Sequence, residues 1–473
     1  MVIGLEVHAQ LLTHSKLFCG DAASFGGEPN THISPITLAH PGTLPKMNKK
    51  AIEFAIKLGL ALHCEIEQEN YFARKHYFYP DLPKGYQVSQ HTTPICKNGF
   101  VRIRTGDQER NIRLNRIHME EDAGKSLHDV DEQYTSIDLN RAGVPLLEIV
   151  SEPDLHSSDE AFAYITELRR LVRWLDICDG NMEEGSMRCD ANISIRLKGT
   201  SKLGTRVEVK NLNSIRNVKR AIDLEVNRLV DIVEGGKIVI QETRSFDADS
   251  NTSFSLRSKE EADDYRYFPD PDLTPFHISE QYLTEIKEAL PALPEELEQK
   301  YISVYQLPVY DAQFICSDPA LVTYFEAIVG HTKNYKAAVN WIMGPVKSYL
   351  NDHGILLSEF AITPQKIAGL LQLVEDGKVS FSIASTRIFT ELATYPHKEP
   401  LQIAHDLNLL QESDSGLIAS WVSEVIDNMP EKVKEYKSGK KGLIGLFAGE
   451  VKKLSKGKAD MHVVNKLLSQ KLN

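Results

Sequence analysis

Three stretches of the chain alternate apolar and polar residues with a period of two. In VIGLEVHAQL, Ile3, Leu5 and Val7 fall on one side, while Glu6, His8 and Gln10 fall on the other. In RCDANISIRL, Ala191, Ile193 and Ile195 oppose Asp190, Asn192, Ser194 and Arg196. In TRVEVKN, Val207 and Val209 oppose Arg206, Glu208 and Lys210. That period belongs to strands, because successive side chains leave a strand on opposite faces. The plain reading is an antiparallel sheet with one greasy face and one wet face. The polar face, however, collects acids, bases, a histidine and an asparagine, not the lysines and threonines of an ordinary solvent face.

Elsewhere the period lengthens to that of a helix. Ser157 and Glu160 form an S-x-x-E capping box ahead of Phe162, Ile165, Leu168 and Leu175. Ser214 caps a second helix carrying Val218, Ile222, Val226, Leu229 and Val233, stopped by Gly235 and Gly236. From about Pro291 amphipathic helices follow one another with little strand signal. The prolines of ALPALPEE, residues 289–296, mark the main boundary. The pattern predicts an α+β chain. Its cradle domain, 1–290, is built on a mainly antiparallel sheet with flanking helices. All-helical parts follow: a connector at 291–325, a subdomain at 326–400 and a basic tail at 401–473.

Composition narrows the class. A chain of 473 residues, 42% hydrophobic and 25% charged, is ordinary globular material. Six cysteines are scattered without any C-x-x-C, which fits a reducing cytosol and predicts a cytoplasmic protein without a disulfide framework. The opening residues lack a secretory signal, and no apolar run approaches the roughly 20 residues of a membrane span, so no membrane is expected. The net charge of −12 argues against a nucleic-acid coat protein, but lysines concentrate between Lys432 and Lys471. A polyanion would bind locally, on that tail.

Candidate chemistry sits in a few places. Glu6 and His8, two apart on one strand face, lie roughly 6–7 Å from each other along the chain. With a carboxylate from 120–122 and Asp190 they make an oxygen-rich set suited to magnesium or manganese. A salt bridge would use Glu6 and His8 equally well. RIHMEEDAGKS at 116–126 ends like a phosphate loop, but the motif needs glycine where Met119 stands. Alternation separates Glu121 from Glu120 and Asp122, so both glutamates serve one ion only if the strand ends or bulges there. RKHYFYPDLPKGY at 74–86 interleaves cations with aromatic rings, as a binder of unpaired bases does; a proline-stiffened loop packed on the body reads the same way. DDYRYFPDPDLTP, residues 263–275, is too acidic for phosphate and reads as a structural or metal-adjacent loop.

Taken in order, IGLEVHAQLLTHSKLFCG, RKHYFYPDLPKGYQVSQ, HMEEDAGKS, DLNRAGVPLLEIVSEPD, GNMEEGSMRCDANISIR, EVKNLNSIRNVKRAI and DDYRYFPDPDL closely resemble one family. It is the B subunit of the tRNA-dependent Asp/Glu amidotransferase. GLIGLFAGEVKKLSKGKADMHVVNKLL resembles that family's YqeY-type helical tail. The resemblance implies an ATP- and Mg2+-dependent ligase subunit acting on Glu-tRNA(Gln), Asp-tRNA(Asn) or both. It implies an amidase A subunit that supplies ammonia from glutamine and a small C subunit, the three forming a heterotrimer. It also implies a magnesium held by Glu6, His8, Glu121 and Asp190.

On that footing Glu121, Glu120 and Lys84 are the candidate catalytic residues. Lys75, Arg188, Lys210 and Ser186 are candidates for ATP and its phosphates. Tyr77, Tyr79 and Tyr86 are candidates for the acyl end of tRNA. Lys440, Lys441, Lys453, Lys456 and Lys458, with Lys452, would grip the tRNA body. Many relatives carry four cysteines for zinc near the N-terminus. Here Cys19 remains, while Asp21, Ser34 and Thr37 occupy the other positions, and one thiolate cannot make a structural zinc site. No zinc is expected. A second reading, a tRNA-holding scaffold without its own chemistry, stays open from sequence.

Overall fold

The alternating stretches become neighbouring strands of one sheet. The computed structural model describes the chain apart from residues 91, 107, 129, 259–264, 411–414, 456–458 and 473. Ten strands form the main path: β1 (Val2–Gln10), β2 (Ala73–His76), β3 (Tyr86–Ser89), β4 (Gln108–Glu121), β5 (Pro145–Ser151), β6 (Met187–Ser194), β7 (Val207–Leu212), β8 (Glu242–Asp247), β9 (Thr252–Ser258) and β10 (Phe268–Pro269). Their spatial order is β9-β8-β7-β6-β1-β5-β4-β3-β2-β10, and three further strands complete thirteen. Of these pairings only β7 with β8 is parallel.

β1 lies at the centre, between β5 and β6. Its Ile3, Leu5 and Val7 are fully buried, as are Ile149 of β5, Ala191 and Ile193 of β6, and Val207 and Val209 of β7. Two helices associate with each other beside this sheet, α2 (Ser158–Trp174) and α3 (Ile215–Glu234), preceded in the chain by α1 (Lys49–Ala61). Burying each such aliphatic side chain contributes roughly 1.5–3 kcal/mol.

The helix starts follow the sequence signals. The Ser157 hydroxyl accepts from the Glu160 amide at 3.0 Å, and Glu160 in turn accepts from the His156 amide at 2.7 Å. Ser214 accepts from the Asn217 amide at 3.1 Å, and Gly235 ends that helix. Two expectations fail. Phe162 is exposed, because the buried stripe of α2 runs through Ala161, Ile165, Leu168 and Val172, one 100° step away, and Val233 is exposed in the last turn of α3, beyond the buried stripe that ends at Leu229. Ser214→Ala leaves an amide without its partner at the start of α3. It is expected to lower unfolding free energy by about 1 kcal/mol, read from urea denaturation.

Contacts divide the chain into two units, Met1–Leu293 and Pro294–Asn473. The second unit is helical among the described residues. It has one apolar core around Trp341, Phe325 and Tyr301 and another around Phe447, Val451 and Leu468. Among the described residues no helix is long and apolar enough to cross a membrane.

Candidate functional site

The polar residues of adjacent strands meet because antiparallel partners share a face. His8 stands opposite Glu148 and Arg188, Glu6 opposite Asp190, and Asn192 opposite Glu208. Glu148 stands opposite His118, and Leu146 opposite Glu120. The result is one continuous ionic face across β7, β6, β1, β5 and β4.

Two clusters with metal-ligand chemistry lie on it. In the first, His8 Nε2 is 3.4 Å from Glu148 and 3.9 Å from Glu120. His118 Nε2 approaches the same two carboxylates at 3.5 Å. In the second, Glu6, Asp190 and Glu208 converge, and Lys210 reaches Asp190 at 2.5 Å and Glu208 at 3.4 Å. Within each cluster one donor atom from each of three side chains lies within 4.8 Å of the others.

The electrostatics of this face call for positive charge. Burial disfavours a charged His8. The hydrogen bond and charge of Glu148, with Glu120 and Asp190 behind it, outweigh that and raise its pKa to about 9. Burial would raise the Glu148 carboxyl, yet His118, its hydrogen bonds and His8 hold it well below the usual range. Glu6 is pushed up by burial and then by Glu148, Glu208 and Asp190, with Lys210 opposing. Lys75 is half-buried, which works against its charge. Glu120, Tyr267 and Glu148 nevertheless hold it above the ordinary lysine value, so this cation faces the first cluster.

The structure does not bring the four residues expected to hold magnesium together at one point. β4 runs in register to its end, with Glu121 opposite Pro145 and no bulge at Glu120–Asp122. Alternation then sends Glu121 to the other face of the sheet. There it accepts from Lys84 Nζ at 2.5 Å and from the Val88 amide at 2.8 Å, so both oxygens are engaged. Glu6 and Asp190 do come together, and His8 sits with Glu120 and Glu148 instead.

An imidazole with one buried and one half-buried carboxylate suits a hard divalent cation. In the second cluster Lys210 already neutralises part of the acidic charge, which makes the first the better place for one. Glu148 escaped the sequence reading. Its signal was a lone acid inside the apolar run PLLEIV.

The remaining candidates divide. Arg188 holds Asp122 at 2.7 Å, and Gln10 donates to the same oxygen at 2.6 Å, which fixes the guanidinium at one edge of the ionic face. The Ser186 hydroxyl donates to Asp179 at 3.2 Å, a contact of the turn leading into β6. Tyr77 lies edge-on to Tyr79 at 5.7 Å, and Lys75 stands 4.9 Å over Tyr265. Tyr86 is on the other side, stacked 4.2 Å from the Arg74 guanidinium. Lys84, Tyr86 and Glu121 line a cavity of about 280 Å3 together with Lys16.

In the second unit Lys440 pairs with Glu435, Lys441 covers Tyr436 and Lys453 pairs with Glu450. Lys452 is exposed. Lys456 and Lys458 lie outside the described residues. At the N-terminal loop the Cys19 thiol is 3.3 Å from Asp21 and 3.4 Å from Thr37, whose hydroxyl donates to Asp21 at 2.5 Å.

Comparison with known proteins finds matches over both units of the chain. A family model described as the GatB/GatE catalytic domain matches residues 1–284, and one described as the GatB domain matches 323–472. A protein of Syntrophotalea carbinolica, named as the B subunit of an aspartyl/glutamyl-tRNA(Asn/Gln) amidotransferase, is 48% identical over 472 residues; the match covers 100% of this chain and 98% of that protein. One of the same name from Trichlorobacter lovleyi is 49% identical over 471 residues, with the same coverage. A third, from Chlorobium limicola, is 47% identical over 473 residues and is covered to 99%.

Proposed function

The chain belongs to the GatB family, and from that premise we propose that it activates the side-chain carboxylate of Glu-tRNA(Gln), Asp-tRNA(Asn) or both, using ATP and Mg2+. A carboxylate resists amidation because its leaving group would be oxide. In the proposed sequence a carboxylate oxygen attacks the γ-phosphorus of ATP, the bond to the β-phosphate oxygen breaks and ADP leaves. Ammonia then attacks the acyl carbon, the bond to phosphate breaks, phosphate departs and the nitrogen loses a proton. Ammonia would come from an amidase A subunit, with a small C subunit completing the complex.

The observation that carries this reading is the convergence of His8, Glu120 and Glu148 on one sheet face, with Lys75 directed at them. His8, Glu120 and Glu148 would hold the magnesium, which would supply positive charge to the triphosphate. Lys75 would add charge to the phosphates. Arg188, fixed by Asp122, and Lys210, on the second cluster, would do so from the edges. On the opposite face Glu121, held by Lys84, stands at the separate polar cavity. We assign this pair to handling the protons of incoming ammonia. Tyr77 and Tyr79 would receive the acyl end of the tRNA, and the lysines of the second unit its body.

Glu148→Ala in the assembled complex tests the activation reading. It is expected to abolish tRNA-stimulated ATP hydrolysis while leaving tRNA affinity unchanged. Unchanged hydrolysis with weakened tRNA binding would favour a scaffold subunit instead.

A further inference from the structure

The loop from Cys19 to His40 walls one side of the cavity that holds Lys84 and Glu121, through Cys19, Ile36, Thr37 and His40. Two pieces of the loop make that wall. The first is a reversal after β1, closed by the Lys16 amide on the Asp21 carbonyl at 3.0 Å and the Ala23 amide on the His14 carbonyl at 3.2 Å. The second is a short turn in which the Leu38 amide donates to the Ser34 carbonyl at 3.0 Å and the His40 amide to the Pro35 carbonyl at 2.9 Å. Side chains join the two pieces.

The join is centred on one oxygen. Asp21 Oδ2 accepts from the Thr37 hydroxyl at 2.5 Å and from the Cys19 thiol at 3.3 Å, and Cys19 and Thr37 lie 3.4 Å apart. Burial works against the Asp21 charge. The hydroxyls of Thr37 and Ser34, the Cys19 thiol and the charge of Lys16 outweigh it and hold the carboxyl below its usual range. Lys16 is fully buried, and its Nζ donates to the His32 carbonyl at 2.7 Å, which ties down the middle of the loop from inside.

Residues 19, 21, 34 and 37 stand where the resemblance places four zinc-binding cysteines, and the donors present do not fit that metal. Structural zinc is held in a tetrahedron of thiolate and imidazole donors, whereas here three oxygen side chains accompany a single sulfur. Burial pushes the Cys19 thiol up, so it keeps the proton that it gives to Asp21. Lys16 already places a positive charge near both Cys19 and Asp21, and a divalent ion would be repelled by it.

We infer that this hydrogen-bonded clasp takes the place of a metal, and that Asp21 with Thr37 and Cys19 keeps the loop closed against the cavity of Lys84 and Glu121. Bonds to a charged acceptor are roughly twice as strong as neutral ones, so a carboxylate at 21 can hold two donors where zinc would hold four ligands. With the clasp open, the cavity would exchange freely with water. That consequence rests on the assignment of the cavity to ammonia; the clasp does not.

Metal content and hydrogen exchange of the assembled complex test the clasp. Dialysed against zinc and then against buffer, the wild type is expected to retain no zinc that Cys19→Ser removes. Zinc kept by the wild type and lost in Cys19→Ser would overturn the inference. Thr37→Val removes one donor at nearly constant volume, and Asp21→Asn removes the charge. In either variant the amides of Lys16 and Leu38 should exchange about tenfold faster. Unchanged exchange in both overturns the inference.

Asp21→Cys, Ser34→Cys and Thr37→Cys combined should confer zinc binding and slow that exchange again. A combined variant that assembles and takes up no zinc shows that the four positions do not converge, which also overturns it; where it does not assemble, the single variants decide. The amide formed per ADP in Thr37→Val reads the consequence for the cavity, and it is expected to fall. Faster exchange with an unchanged ratio upholds the clasp and counts against ammonia in the cavity, so the two readings fail separately.

Discussion

Glu120→Gln is expected to lower ATP turnover by the complex about 10²–10³-fold and to raise the Mg2+ concentration needed for half-maximal rate. Glu121→Gln should leave the Mg2+ requirement where it is. The adjacent glutamates differ because the strand is regular to its end. Glu120 faces His8 and Glu148, whereas Glu121 spends both oxygens on Lys84 and the Val88 amide. In Glu121→Gln the lysine loses its counter-charge at the second cavity. ATP consumption should then persist while amide formation falls, so the two become uncoupled. A Mg2+ titration of both variants, with ADP and amide measured in parallel, decides the matter. A larger shift in Mg2+ requirement for Glu121→Gln would return that residue to the metal and overturn the assignment of Glu120.

That pair also shows what was legible in the sequence. Period-two alternation placed Glu121 with Ile117 and Met119, away from Glu120, and the strand obeys it. Family resemblance pointed to Glu121 for the metal, and only an irregular strand end could have reconciled the two. The strand faces of β1, β6 and β7 and both helix caps were readable because they depend on neighbours within a few residues. Glu148 was not, since its role comes from standing opposite His8 and His118 on strands more than a hundred and about thirty residues away. Nor was the commitment of Arg188 to Asp122, which brings together residues 66 apart. Periodicity gives faces, whereas strand order decides which faces share an edge. Cavities such as the one lined by Lys16, Lys84 and Glu121 lie further still from local pattern, because residues distant in sequence enclose them.

Stability of the chain in a chelator is expected to fall as pH rises from about 6.5 to about 9, and Mg2+ should remove that fall. His8 has its folded-state pKa raised from 6.5 to about 9 by Glu148, Glu120 and Asp190. A raised pKa means the native state binds the proton more tightly than the unfolded chain does. The stabilisation is therefore complete below pH 6.5 and is lost as pH climbs through 9. At 1.36 kcal/mol per unit the upper bound is about 3 kcal/mol, reduced because the His8 side chain retains 22% of its exposure. The depressed Glu148 carboxyl acts at the other end, losing its contribution only as pH falls through its low folded value. A divalent cation at His8, Glu120 and Glu148 needs the imidazole neutral, so it competes with that proton and binds more tightly as pH rises. The stabilisation brought by Mg2+ should accordingly grow between pH 6.5 and 9, and His8→Asn should abolish the growth. Thermal unfolding with and without Mg2+ at the two pH values reads both effects. An equal Mg2+ shift at both ends of the window would remove His8 from the ligand set.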